Sequence, residues 1–139
     1  MQITHQADYA LRAMLYLSRL NKNARAATRL IAEEMQIPIS FLAKIVSQLS
    51  IAGLINTSRG ARGGVSLVRE PQKISVLEVV EAIDGPIALN QCTHDPSICP
   101  FGENCPIHET FCEAEEILVN KLKNTSFAEL LARESQTRR

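Results

Sequence analysis

The sequence predicts a mainly α-helical chain: a winged helix-turn-helix domain with a β-hairpin wing, followed by a long C-terminal dimerisation helix. Three observations carry this expectation. Apolar stripes of helical period recur three times ahead of Gly53, two β-prone runs joined by a Gly- and Arg-rich turn follow, and another long helical stripe lies near the C-terminus. With 139 residues, 45% hydrophobic residues and no Trp, the chain can bury one core of Leu, Ile, Val and Ala, and two large domains are excluded.

Taken in order, Thr4 is a candidate N-cap, and Ala7, Ala10, Leu11, Met14, Leu17 and Leu20 form the first stripe, with Asp8 near the positive end of that helix. Thr28 is expected to cap a second, shorter helix ending about Met35. Gln36, Ile37 and Pro38 make the turn into a third helix striped by Leu42, Ile45, Leu49 and Ala52, which Gly53 closes. Leu54 to Ser58 and Gly63 to Val68 are the wing strands, around the turn Arg59, Gly60, Ala61, Arg62. Ser75 and Glu78 are spaced as a capping box for a helix that Gly85 and Pro86 end. Residues 90–106 lack periodicity and read as a loop. Ile107, Phe111, Ala114, Leu118 and Leu122 then stripe a long amphipathic helix, and Ser126 with Glu129 mark a last capping box. This divides the chain into a winged helix-turn-helix domain (1–86), a cysteine-rich loop (87–106) and a dimerisation helix with a short terminal helix (107–139). The long helix protrudes from a small domain and asks for a partner surface, which a second copy would supply.

The net charge of zero hides a division. Residues 1–70 hold nine Lys or Arg against four Asp or Glu, a balance of +5, whereas residues 71–139 hold six against eleven, a balance of −5. A basic first half suits a polyanion, since Lys and Arg supply most of the affinity for nucleic-acid phosphates. Opposite its apolar stripe the third helix displays Ser40, Lys44, Ser47 and Gln48, short polar and basic side chains able to reach base edges. Arg59 and Arg62 sit at the wing tip, where guanidinium groups meet phosphates or the minor groove. Thr28 and Phe41, at the starts of the second and third helices, complete the candidate DNA-contacting set.

All four cysteines, Cys92, Cys99, Cys105 and Cys112, fall in one short stretch of a chain with no export signal. Permanent disulfides are therefore disfavoured, and metal or redox chemistry is favoured. No Cys-x-x-Cys knuckle of a structural zinc site is present; an iron-sulfur cluster tolerates the wider spacing. Cys92, Cys99 and Cys105 lie in the loop and can wrap a cluster, while Cys112 falls within the predicted helix. His108, three residues after Cys105, and Asp8, reaching from the first helix of a second subunit, are rival fourth ligands. No apolar run is long enough to span a membrane, so a cytoplasmic protein is expected. No nucleophile–base set or phosphate-binding glycine motif appears, so neither an enzyme nor a small-molecule substrate is expected. Two other readings stand beside the cluster-bearing regulator: a cluster-free thiol–disulfide regulator and a small metal-carrying or electron-transfer protein.

DYALRAMLYL, IPISFLAKIVSQLSIAGLI, SRGARGGVSL, ISVLEVVEAIDGPI, the three-cysteine loop and the closing TSFAELL together resemble the IscR and NsrR group of winged-helix regulators, the Rrf2 superfamily. The resemblance implies a homodimeric repressor on a near-palindromic double-stranded DNA operator, responding to redox state, nitric oxide or iron-sulfur status. Its cluster cysteines carry over to Cys92, Cys99 and Cys105, with one more residue between the first pair than in the best-known members. His108 stands where the IscR-like ligand to a 2Fe-2S cluster would be, and Asp8 where the NsrR-like ligand to a 4Fe-4S cluster would be.

Overall fold

The computed structural model describes residues 2–102 and 104–137. Seven α-helices and a two-stranded antiparallel sheet follow in the order α1 (His5–Ser18), α2 (Thr28–Met35), α3 (Ile39–Ile51), β1 (Ile55–Ser58), β2 (Gly64–Leu67), α4 (Val76–Asp84), α5 (Gln91–His94), α6 (Pro106–Lys123) and α7 (Phe127–Thr137). Thr4 caps α1 as its spacing predicts, its hydroxyl accepting the Ala7 N–H at 3.1 Å. Thr28 does not cap α2. It is the first helical residue, behind Ala27, and no side chain satisfies that helix start. The reason lies in the preceding residue: Ala26 exchanges both backbone hydrogen bonds with Val65 of β2, at 3.0 and 2.8 Å, and this pairing holds the chain extended up to Ala27.

The end of α3 is fixed by Gly53 at φ +77°, a left-handed residue that favours glycine. The Gly53 and Leu54 amides donate back to Ser50 and Leu49, both at 3.0 Å, so the reversal satisfies two terminal carbonyls and drops Leu54 into the core. β1 and β2 pair from Ile55 with Leu67 to Ser58 with Gly64, and Ala26 adds a single rung beyond β2. Gly64 permits that rung, because a side chain there would stand 2.6 Å from the Ala26 carbonyl oxygen. The Ser75–Glu78 capping box forms in both directions: the Glu78 amide donates to the Ser75 hydroxyl and the Ser75 amide to the Glu78 carboxylate.

One core joins Ala10, Met14 and Leu17 of α1, Ile31 of α2, Leu42, Ile45 and Leu49 of α3, Ile55 and Val65 of the wing, and Val79 of α4. Phe127, the first residue of α7, is fully buried in the same core. The terminal helix thus returns to α1, helped by hydrogen bonds from Val76 to Thr125 and from Phe127 to Ile74, and by the Arg19–Glu134 ion pair. By contrast, α6 has no buried residue. It leans on α4 and α5 along one side and leaves Ile107 (62%) and Ile117 (72%) in solvent.

Candidate nucleic-acid interface and cysteine site

On α3, Ser40, Phe41, Lys44 and Ser47 are exposed and Gln48 half-buried, opposite the buried Leu42, Ile45 and Leu49. The Phe41 ring rests against Tyr9 of α1 with centroids 5.8 Å apart, so Phe41 also braces the start of this helix. The Gln48 side-chain carbonyl oxygen is buried without a hydrogen-bond partner among the described residues. Thr28 is half-buried at the start of α2, beside the wing, and Arg59 and Arg62 are exposed in the turn between β1 and β2.

The nine Lys and Arg of residues 1–70 separate into two groups. Arg12, Arg19, Lys22 and Arg69 are paired with Asp8, Glu134, Glu70 and Glu78. Arg25, Arg29, Lys44, Arg59 and Arg62 are all exposed and have no ion pair among the described residues. The second group lies on the segment before α2, on α2 and α3, and in the wing turn. Arg25 and Arg29 were not among the sequence candidates, because the sequence shows nine similar cations and only the fold shows which four are neutralised.

The cysteine segment is more ordered than a loop. Residues 91–94 form the one-turn helix α5, entered through a hydrogen bond from the Thr93 hydroxyl to the Asn90 carbonyl at 2.8 Å, and Pro96–Ile98 form a 3-10 turn. Asp95 starts that turn, and hydrogen bonds from the Ser97 hydroxyl and amide hold its carboxyl below the ordinary aspartate range. These are short-range polar contacts with no apolar periodicity, which is why the sequence pattern did not reveal them.

Cys92, buried on α5, Cys99 after the 3-10 turn, Cys105 at the start of α6 and His108 one turn into it line a single hollow of about 320 Å³. Ile98, Phe101 and Ile107 give it apolar walls. Among the described residues no three His, Cys, Asp or Glu side chains converge closely enough to hold a single metal ion. The His108 imidazole stands 3.5 Å from the Cys112 thiol, one turn further along α6. Partial burial, then Glu115 and Cys92, push the Cys112 thiol above its ordinary pKa, which favours its protonated form. Asp8 does not line this hollow; its carboxylate accepts from Arg12 at 2.7 Å on α1.

Residues 3–133 match the model of the Rrf2 family, described as iron-dependent transcriptional regulators. The chain is 29% identical to the HTH-type transcriptional regulator NsrR of Shouchella clausii, over 99% of this chain and 93% of that protein. Its fold is similar to CymR, the global cysteine regulator of B. subtilis, with a TM-score of 0.82 and 24% identity over 96% of this chain and 98% of that one. It is similar also to the IscR of T. potens, with a TM-score of 0.81 and 19% identity over 100% and 92%. Among the described residues no helix is long and apolar enough to cross a membrane.

Proposed function

Because this chain belongs to the Rrf2 family of transcriptional regulators, we propose that it is a homodimeric repressor of near-palindromic operators whose cysteine segment holds an iron-sulfur cluster. One observation carries the sensor part of the reading: Cys92, Cys99, Cys105 and His108 surround one apolar-walled hollow. Thiols and an imidazole are the donor types of iron-sulfur sites. When bound, a cluster supplies a centre that can change electron count or be dismantled by an oxidant or nitric oxide.

The residues of the chain do the rest. Lys44 and the wing arginines neutralise phosphates, while the exposed Ser40 and Ser47 face the bases, and Gln48 joins them only by turning its buried side-chain carbonyl outward. The hollow is formed by α5, the 3-10 turn after it and the start of α6, and α6 carries solvent-facing apolar residues that offer themselves to a second copy. A dimer must set its recognition helices about 34 Å apart to meet successive major grooves. Occupation of the hollow alters DNA affinity only by favouring one arrangement of the two heads over the other. Of the two candidate fourth ligands, His108 already faces the hollow, whereas Asp8 requires the subunit partner and release from Arg12.

The test is anaerobic purification with iron and sulfide assay, a visible spectrum and operator binding at fixed salt. Cys99→Ala is expected to lose iron and sulfide, to keep the far-ultraviolet circular dichroism of the wild type, and to shift operator affinity by about 5- to 150-fold. Equal affinity of holo protein, apo protein and variant would remove the cluster from regulation. A second reading, a cluster-free thiol switch, draws on the four free thiols gathered in this segment, Cys92, Cys99, Cys105 and Cys112. Absence of iron and sulfide, with affinity that follows thiol oxidation, would select it.

A further inference from the structure

We infer that Arg25 and Arg29 belong to the DNA-contacting surface, so that the phosphate-binding face is an arc of five cations per chain running from α3 past the start of α2 to the wing. The inference extends the DNA-binding reading and rests on it.

The first argument is the sorting of charge. Four of the nine cations in residues 1–70 are held by carboxylates, at distances such as 2.7 Å for Arg12 and 2.9 Å for Arg69. The five left exposed and without an ion pair among the described residues include the three already assigned to DNA, Lys44, Arg59 and Arg62, and the other two are Arg25 and Arg29. Exposed cations with no carboxylate beside them are available to an anionic partner. A duplex presents one phosphate charge about every 1.7 Å of its axis and matches an extended row rather than a point.

The second argument is where the backbone puts them. The double hydrogen bond between Ala26 and Val65 ties the segment before α2 to the wing through a single rung, and Arg25 is the residue next to that rung. The antiparallel rung runs this segment toward the wing tip, since Ala26 faces Val65 and the next residues pass Gly64 before α2 begins at Thr28. Arg29 leaves that point on α2 and lines a shallow hollow with Ile37 and Ile39, at the turn into the recognition helix. Glu33 lines the same hollow but makes no ion pair with Arg29 among the described residues. Arg25 thus lies on the segment paired with β2, one residue back from the rung, and Arg29 lies between that segment and the start of α3.

The test uses the full chain and a mixed-sequence duplex of about three helical turns, with anisotropy measured across a salt series. Binding without sequence preference isolates the phosphate contribution. R25A and R29A should each lower the slope of log affinity against log salt by about 0.9 for every copy bound, and R25K should keep the wild-type slope. K22A, which removes a cation already held by Glu70, should leave the slope unchanged. Circular dichroism of each variant checks that these exposed substitutions leave the fold intact. Wild-type slopes for R25A and R29A alongside a reduced slope for R59A would overturn the inference. An unchanged slope for R59A as well would instead overturn the placement of the wing on DNA.

Discussion

The winged domain and the segment from α5 through α6 are built on opposite principles. In the first, every helix contributes to one core, and ends such as those of α1, α3 and α4 are closed by local hydrogen bonds. In the second, an 18-residue helix buries nothing fully, and four thiols remain free around and beside a hollow. The difference is one of packing: the winged core, closed by Phe127 of α7, excludes solvent, whereas the α5–α6 segment leaves apolar and thiol groups accessible. Local opening and ligand-dependent change are drawn from the sparsely packed regions of a fold.

The sharpest way to break this comparison is through Phe127. It follows α6 in sequence yet is fully buried in the winged core, so Phe127→Ala should destabilise the fold by about 3–5 kcal/mol in denaturant titration. Ile117→Ala, at 72% exposure, should stay within about 0.5 kcal/mol in the monomer. Similar losses for both would mean that α6 is as much core as α7. Next comes the pairing of α6. Leu118→Asp would bury an unpaired charge between two copies and should weaken dimerisation about 100-fold or more, roughly 2.7 kcal/mol. An intact dimer in sedimentation would move the interface elsewhere.

A smaller effect is expected at the wing, where R59A/R62A should leave stability unchanged and reduce the salt slope of operator binding by about 0.9 for each phosphate no longer neutralised. The smallest concerns Glu78. Burial pushes its carboxyl up, but the Ser75 amide and Arg69 outweigh this and hold it below the ordinary glutamate range. Its contribution is therefore present above the unfolded pKa and is lost as pH falls through the lower folded value. Glu78→Gln should lower stability at neutral pH, by an amount that shrinks as pH falls through the folded value, and so flatten that acid limb of the stability curve.

Much of the winged domain was legible because its signals are local. The Ser75–Glu78 box, the reversal at Gly53 and the Gly- and Arg-rich hairpin each depend on residues a few positions apart. Thr28 misled because a long-range rung from Ala26 to Val65, invisible to spacing rules, sets the helix start. The burial of Phe127 and the ion pair of Arg19 with Glu134, 115 positions away, are tertiary facts that no periodicity encodes. For the cysteine site, clustering of the thiols was readable. The shared hollow of Cys92, Cys99, Cys105 and His108, and the approach of His108 to Cys112, needed α5 and α6 to be placed together.

The hydrogen bonds of Thr125 and Phe127 with Val76 and Ile74 have one more consequence. The chain leaves the core at Gly85 and returns beside the residues that begin α4, so residues 85–125 form a handle with both ends riveted to neighbouring points. A handle of this kind can be lengthened or reshaped within its span without moving the reading head, since doubling a loop costs only about 0.6 kcal/mol of closure entropy. Residues 85–125 are in that sense a replaceable span, free to differ between two fixed rivets while the core of the winged domain keeps its shape.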